Sequence, residues 1–206
     1  HYMPKLLMQH YSSRVERAQF IAMNFKPYLI GRVLDVGCAE AFLKKHINQY
    51  IGLDITGNPD LLVNLEQTGL PFCDKAFDTV MCIDVLEHLD SLTKVLRDLF
   101  RVASQYVIIS LPNVYALGWR LKFLRGQVLS KEYSLLPRNR HKWLPSFTET
   151  RIFMRTQLPQ NWYIKWEFGY YPPAWWRVGP LYKTLALAHP NLLATTYWAL
   201  FEHRPS

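Results

Sequence analysis

The chain has 206 residues, half of them hydrophobic, and carries a net charge of +8. That length suits one α/β domain with a sizeable core and leaves too little for two independent ones, so residues 1–206 are read as a single domain. No run approaches the roughly 18 consecutive apolar residues of a membrane-spanning helix, and the positive balance favours acidic partners (phosphates, anionic lipid headgroups, nucleic acid) without choosing among them.

In chain order, Ser13 followed by Glu16 has capping-box spacing, which predicts an amphipathic helix over Arg14–Tyr28, within an N-terminal segment 12–28 closed by Gly31. Val33-Leu34-Asp35-Val36 is a short apolar run stopped by Gly37, the pattern of a buried strand entering a tight turn. A short helix is expected over Phe42–Ile47, and further strands over Ile51–Leu53, Leu62–Leu65 and Thr79–Ile83. Ser91 is placed to cap a helix running to Val102, and Tyr106–Leu111 is a β-branched run ended by Pro112 and Asn113. Beyond it come a basic, aromatic helix over Tyr115–Leu124, a polar stretch to Pro145 expected to act as a lid, a helix over Thr148–Gln157 and a strand over Trp162–Phe168. A Pro- and Trp-rich segment, Tyr170–His189, holds a short helix over Leu181–Ala188, and a final strand is expected over Ala194–Phe201. Alternating strands and helices with short connections predict an α/β, doubly wound, mostly parallel sheet with its ligand site at the carboxyl ends of the strands. On that reading residues 31–113 form the cofactor-binding half and 114–206 the acceptor and lid half.

Cys38, Cys73 and Cys82 are an odd number, form no CxxC pair and sit in apolar or turn sequence. They are expected as buried small hydrophobes in a reduced, cytoplasmic protein, and no metal site is expected because no His or carboxylate stands at ligand spacing from them. A secretory signal is not expected, and His1 and Tyr2 ahead of Met3 read as residues added before the natural start.

The chemistry-bearing residues begin at the first strand. Gly37 lets the backbone approach a ligand, and Asp54, closing the second strand, suits the hydroxyls of a ribose. Strand, glycine and a later acid are shared by dinucleotide dehydrogenases. Residues 69–89 discriminate: Gly69-Leu70-Pro71-Phe72, then Asp74, Phe77-Asp78-Thr79-Val80 and Val85-Leu86-Glu87-His88-Leu89. With Val33–Cys38 and the later Ile108–Asn113, this series resembles the class I S-adenosylmethionine-dependent methyltransferases in order and spacing.

The resemblance implies a Rossmann-like, seven-stranded sheet with an antiparallel last strand, and S-adenosyl-L-methionine as cofactor with S-adenosyl-L-homocysteine as product. It implies that Asp35, Gly37, Cys38 and Ala39 lie by the methionine part, that Asp54 takes the ribose and Ile55 packs on adenine, that Asn64, Leu65 and Glu66 meet the adenine edge, and that Asp84 and Val85 lie beside the sulfonium. Phe77, Val80 and Leu86 are core. The departure is Gly37-Cys38-Ala39-Glu40-Ala41, where the family has glycines at the positions of Ala39 and Ala41. Alanine resists positive φ, so a weakened cofactor site, or a partner protein that kept only the fold, is one expectation.

Methyl transfer from a sulfonium is an in-line displacement, in which orientation matters most and a base helps a hydroxyl acceptor. His88 and His141 are the candidate bases, because imidazole titrates near neutral pH. The second half resembles small bacterial methyltransferases of surface-glycan pathways and a family linked to methionine biosynthesis, on Leu111-Pro112-Asn113, the Leu124-Arg125-Gly126 helix end and His189–Ala194. The expected reaction is methylation of an O or N atom of a small or glycan-type acceptor, including a lipid-linked one. Tyr170, Tyr171, Trp175 and Trp176 with Pro172 and Pro173 are candidates for an interfacial surface. The basic cluster Arg120, Lys122, Arg125, Lys131, Arg138, Arg140 and Lys142 leaves an RNA methyltransferase as an alternative.

Overall fold

A computed structural model describes residues 11–128, 133, 140–171 and 180–204, without the side chains of 180–183. The strands are β1 (Arg32–Val36), β2 (Gln49–Asp54), β3 (Leu61–Leu62), β4 (Phe77–Ile83), β5 (Ala103–Pro112), β6 (Trp162–Tyr170) and β7 (Thr196–His203). The helices are α1 (Arg14–Asn24), α2 (Leu65–Thr68), α3 (Leu92–Val102), α4 (Leu117–Leu124), α5 (Phe147–Thr156), α6 (Pro180–Ala188) and α7 (Pro190–Leu193). The strands form one seven-stranded sheet in the order β3-β2-β1-β4-β5-β7-β6. Only β7 runs against its neighbours, pairing antiparallel with both β5 and β6. The expected Rossmann-like α/β architecture, with its antiparallel last strand, is the one observed.

The strand residues alternate between two cores because successive side chains on a strand point to opposite faces. Leu34, Val36, Val80, Cys82, Val107, Ile109 and Phe201 pack with Val95, Leu96 and Leu99 of α3 and with Phe147 and Met154 of α5. Val33, Met81, Ile108, Trp198 and Leu200 pack on the other face with Ala18, Phe20 and Ile21 of α1 and with Phe25. Both faces are therefore covered, as a sheet of mostly parallel strands requires. In α3 the buried Val95, Leu96, Leu99, Phe100 and Val102 make an apolar stripe at helical spacing.

Several boundaries differ from the sequence expectation. The first helix ends at Asn24, and Lys26–Tyr28 form a separate 3₁₀ turn. Pro27 is the cause: it has no N–H to continue the ladder. The predicted helix over Phe42–Ile47 is a series of turns with a 3₁₀ turn at Lys44–His46. The predicted strand Leu62–Leu65 stops at Leu62, because the Asn64 side chain accepts from the Glu66 N–H and starts α2. Ser91 precedes α3 but makes no side-chain cap, whereas Ser146 and Glu149 form a complete capping box that starts α5 at Phe147. Of the cysteines, Cys38 and Cys82 are buried but Cys73 is exposed, so the expectation that all three are buried fails for the one in the turn before β4.

One buried side chain joins the two halves. Asn113, fully buried at the end of β5, donates to the carbonyls of Asn191 (3.0 Å) and Ala194 (2.6 Å) and accepts from the N–H groups of Tyr115 (3.1 Å) and Phe147 (3.2 Å). Both amide protons and both acceptor positions used here are satisfied. These bonds fix the starts of the segments leading to α4 and α5, and the end of α7, against the sheet.

Candidate functional site

A cleft of about 970 Å³ opens at the carboxyl ends of β1, β2 and β4. Its floor begins with the turn after β1. Gly37 has φ 79°, and a side chain there would strike Val85, since a Cβ would lie 2.1 Å from Val85 Cγ2. The Gly37 and Cys38 N–H groups donate to the Leu53 carbonyl at 2.7 and 3.2 Å, which ties the turn to β2. Ala39 and Ala41 hold φ of 49° and 52°, the left-handed conformation in which glycine is unstrained. The turn thus keeps a glycine-type backbone with alanine side chains. The Ala39 N–H donates to Asp54 Oδ2 (2.7 Å), and the Ala39 carbonyl accepts from the Asn58 N–H (2.8 Å). These bonds hold a conformation that costs about 1–2 kcal/mol per L-residue.

Asp35 lies beneath this turn, 5% exposed, and its carboxylate accepts from the Tyr50 hydroxyl at 2.8 Å. Burial raises its pKa to about 6, against the lowering effect of the Tyr50 hydrogen bond and of Arg17. Asp54, which lines the cleft, accepts at Oδ1 from the N–H groups of Ile55 (2.6 Å) and Thr56 (3.1 Å), while among the described residues Oδ2 accepts from Ala39 alone and so has capacity for another donor. Ile55 stands at the rim, 63% exposed. Asp84 adopts φ 53°, accepts from the Ser110 hydroxyl (2.6 Å), and is paired with Arg17 of α1 (2.5 Å). α1 therefore closes one side of the cleft through a charge pair linking residues far apart in sequence.

Asn64, Leu65 and Glu66 line the same cleft. Asn64 spends its side chain on capping α2 and Leu65 is buried. Glu66 turns toward the start of α3, where it accepts from the N–H groups of Asp90 and Ser91, the Ser91 hydroxyl and Lys142. Partial burial raises its pKa, but the bonds from Ser91, the Asp90 N–H and Lys142 outweigh that and bring it down to about 2.

The opposite wall is built on the 3₁₀ turn Leu86–His88. The segment 140–143, part of the expected lid, docks on it. The Lys142 N–H donates to the Glu87 carbonyl (2.8 Å), the Trp143 indole to the Leu89 carbonyl (2.7 Å), and His88 Nδ1 to the Arg140 carbonyl (2.9 Å). A carbonyl only accepts, so the last bond puts the His88 proton on Nδ1 and leaves the lone pair on Nε2. His141, bonded at Nδ1 to the Tyr133 hydroxyl (2.8 Å), stacks edge-on against His88 with ring centres 4.5 Å apart. The two histidines chosen separately from sequence are neighbours in space.

Glu87, part of the Val85–Leu89 series, is 1% exposed beneath both histidines. Neither carboxylate oxygen has a hydrogen-bond partner among the described residues, and Oε1 lies 4.0 Å from His141 Nε2. Burial, with Asp84 nearby, pushes its pKa well above the ordinary carboxylate range. Sequence reasoning also missed Arg17, Tyr50, Trp119 and Tyr133, which line or support the cleft, and placed Lys142 only in a basic cluster rather than in the cleft wall. Each acts across the fold, so no local spacing announced it. Lys131 and Arg138 of the basic cluster, and Pro172, Pro173, Trp175 and Trp176 of the expected interfacial surface, lie outside the described residues.

Comparison with known proteins agrees with this geometry. A curated relative, an uncharacterised protein of Methanocaldococcus jannaschii, is 32% identical over 109 residues, which cover 46% of this chain and 42% of that one. The chain thus spans well under half of the relative's length. The fold matches that of a SAM-dependent methyltransferase from Archaeoglobus fulgidus, with a TM-score of 0.55, 19% identity, and coverage of 91% of this chain and 94% of the other. It also matches part of the small RNA methyltransferase HEN1, with a TM-score of 0.63, 13% identity, and coverage of 100% of this chain and 27% of HEN1. At these identities the likeness is one of fold. The family profile described as "Methyltransferase domain" matches residues 8–155, most of the chain and all of the cleft's first wall. The protein belongs to this methyltransferase domain family.

Proposed function

We propose that the cleft binds S-adenosyl-L-methionine and releases S-adenosyl-L-homocysteine, and that the protein methylates an O or N atom of a small or glycan-type acceptor. The observation that carries this reading is the turn after β1. Gly37, Ala39 and Ala41 all adopt positive φ, and the turn opens into the cleft beside Asp35 and Asp54. A side chain at Gly37 would collide with Val85, which lines the same cleft, so only glycine fits the turn at this point. When bound, the cofactor supplies a methyl group on a sulfonium sulfur.

In this reading Asp35 and the backbone of Gly37, Cys38 and Ala39 hold the methionine part, and Asp54 uses its spare Oδ2 lone pair for the ribose. Exposed Ile55 packs on adenine, Asn64, Leu65 and Glu66 border the adenine edge, and Asp84 and Val85 border the reacting end. His88 Nε2, left unprotonated by the bond from Nδ1 to Arg140, accepts the proton of an acceptor hydroxyl, with His141 beside it. The protein works in the cytoplasm, where the cofactor is made available, and α4 brings it to acceptors at a membrane surface. α4 has no buried residue, and Phe123 and Leu124 are 72% and 79% exposed beside Lys122 and Arg125.

Isothermal titration with S-adenosylmethionine and S-adenosylhomocysteine tests the core of the reading. Micromolar binding of both, weakened by Asp54→Ala, is expected. Absence of binding up to millimolar ligand would leave the protein as a partner subunit that kept only the fold. RNA is the second acceptor class, favoured by the fold shared with HEN1 and by the basic face of α4. Oligonucleotide binding that weakens steeply with salt would support it.

A further inference from the structure

The wall opposite the cofactor turn brings the buried Glu87, which the reading above leaves without a role, together with the two histidines named there as bases. Glu87, His88 and His141 each offer one ligand atom, and these atoms all lie within 4.8 Å of one another. Two ligands on a common ion at about 2.1 Å stand about 3.4 Å apart, so small side-chain rotations close the set. The expectation that the chain has no metal site weighed only its cysteines and did not consider this cluster.

Three observations separate it from a chance meeting of polar side chains. First, Glu87 is 1% exposed with neither oxygen hydrogen-bonded among the described residues, a costly arrangement for any carboxyl group unless something else occupies the space it faces. Second, His88 already donates its Nδ1 proton to the Arg140 carbonyl, the outer contact that orients a metal-bound imidazole and frees Nε2 as the ligand. Third, His141 is held by backbone bonds on either side: its neighbour Arg140 accepts from His88, and its neighbour Lys142 donates to the Glu87 carbonyl. The two chain segments that supply the ligands are therefore bolted together before any ion arrives.

We propose that Glu87, His88 and His141 bind one divalent transition-metal ion, with the remaining coordination positions open to the cleft. Two imidazoles and one carboxylate form a nitrogen-rich set suited to a first-row ion such as Zn²⁺ or Co²⁺ over Mg²⁺ or Ca²⁺, which prefer oxygen ligands throughout. The site faces the acceptor side of the cleft, since Trp119, Tyr133 and His141 line it together. If the methyltransferase reading holds, an acceptor oxygen would complete the ion's coordination shell, and the ion, in place of the His88 Nε2 lone pair it occupies, would make that hydroxyl more acidic; ion binding itself does not depend on that reading.

The test uses the full chain, stripped with chelator and titrated without cofactor. Co²⁺ is followed by its visible absorption and Zn²⁺ by calorimetric titration and by displacement of Co²⁺. One ion per chain at micromolar affinity is expected. His141→Ala and Glu87→Gln are each expected to weaken it at least about 30-fold, whereas His46→Ala, away from the cleft, leaves it unchanged. Thermal melts check that the variants are folded without metal, and added Zn²⁺ should raise the melting temperature of the wild type but not of Glu87→Gln. Absence of binding below millimolar metal overturns the proposal. So does affinity retained within threefold in both His141→Ala and Glu87→Gln, or an equal loss in His46→Ala. Cofactor binding measured separately distinguishes failure of the metal site from failure of the methyltransferase reading.

Discussion

Restoring glycine at positions 39 and 41 separates two consequences of the alanines that sequence alone cannot. Ala39 and Ala41 hold φ of 49° and 52°. Relieving a left-handed L-residue returns about 1–2 kcal/mol per site, and the extra freedom of glycine in the unfolded chain removes about 0.5–1 kcal/mol. The balance for Ala39→Gly with Ala41→Gly is a gain of about 1–2 kcal/mol. For a chain of this size that corresponds to a rise in melting temperature of about 2–8 °C, at about 2–4 °C per kcal/mol. Because the turn already has the glycine-type path and the Ala39 N–H already meets Asp54, affinity for S-adenosylhomocysteine should change by less than about threefold. The assays are scanning calorimetry of the double variant and titration calorimetry with the same ligand. An unchanged or lower melting temperature would refute the strain argument. A tenfold or greater gain in affinity would refute the view that the alanines leave the cofactor turn intact.

Other expectations follow from buried polar groups and exposed apolar ones. Burial holds the Asp35 carboxyl near 6 in the folded chain, against an ordinary value of 3.8, so the folded state binds more protons between these limits and loses stability as pH rises from about 4 to 6, by about 3 kcal/mol. Asp35→Asn should flatten that part of a urea-stability profile against pH, and an unchanged slope would remove burial as the cause. Asn113→Ala leaves two carbonyls and two N–H groups without their partner, at about 1–3 kcal/mol for each unsatisfied group, and should lower the melting temperature by at least about 6 °C. A drop under 2 °C would mean that water replaces the amide. Phe123→Ser with Leu124→Ser should reduce co-sedimentation with phosphatidylglycerol vesicles at least about tenfold, as loss of two apolar anchors predicts. Wild-type protein that fails to sediment at all would discard the membrane-surface role of α4.

The sheet was legible because its strands are short apolar runs bounded by glycine, proline or asparagine; Asp54 was found because it closes such a run and Asp35 because it interrupts one just before Gly37. Errors fell where a second local rule competed. Pro27 ends a helix whose hydrophobic pattern continues, and the Asn64 cap cuts short a strand whose apolar run continues into Leu65. The site was half legible. Its cofactor wall lies in one continuous motif, whereas the acceptor wall is assembled from α1, the turn at residues 86–88 and the segment 140–143. Glu87 illustrates the limit: nothing in Val85-Leu86-Glu87-His88 says that the glutamate points inward, because that follows from the docking of Lys142 and Trp143 on its backbone.

The place of β7 bears on how the molecule is made. It lies between β5 and β6, yet both are synthesised before it. Until residues 196–203 emerge, β5 and β6 present unpaired edges to one another across the gap that Tyr197, Trp198 and Phe201 will fill. A nascent chain thus carries two open templates for pairing with other chains, and a strand that follows both in the chain is the one that removes them. Closing the sheet is a single late event, in which seven or eight residue pairs form on each side of one strand. Slowing synthesis just before Thr196 would prolong the interval in which misassembly competes with folding.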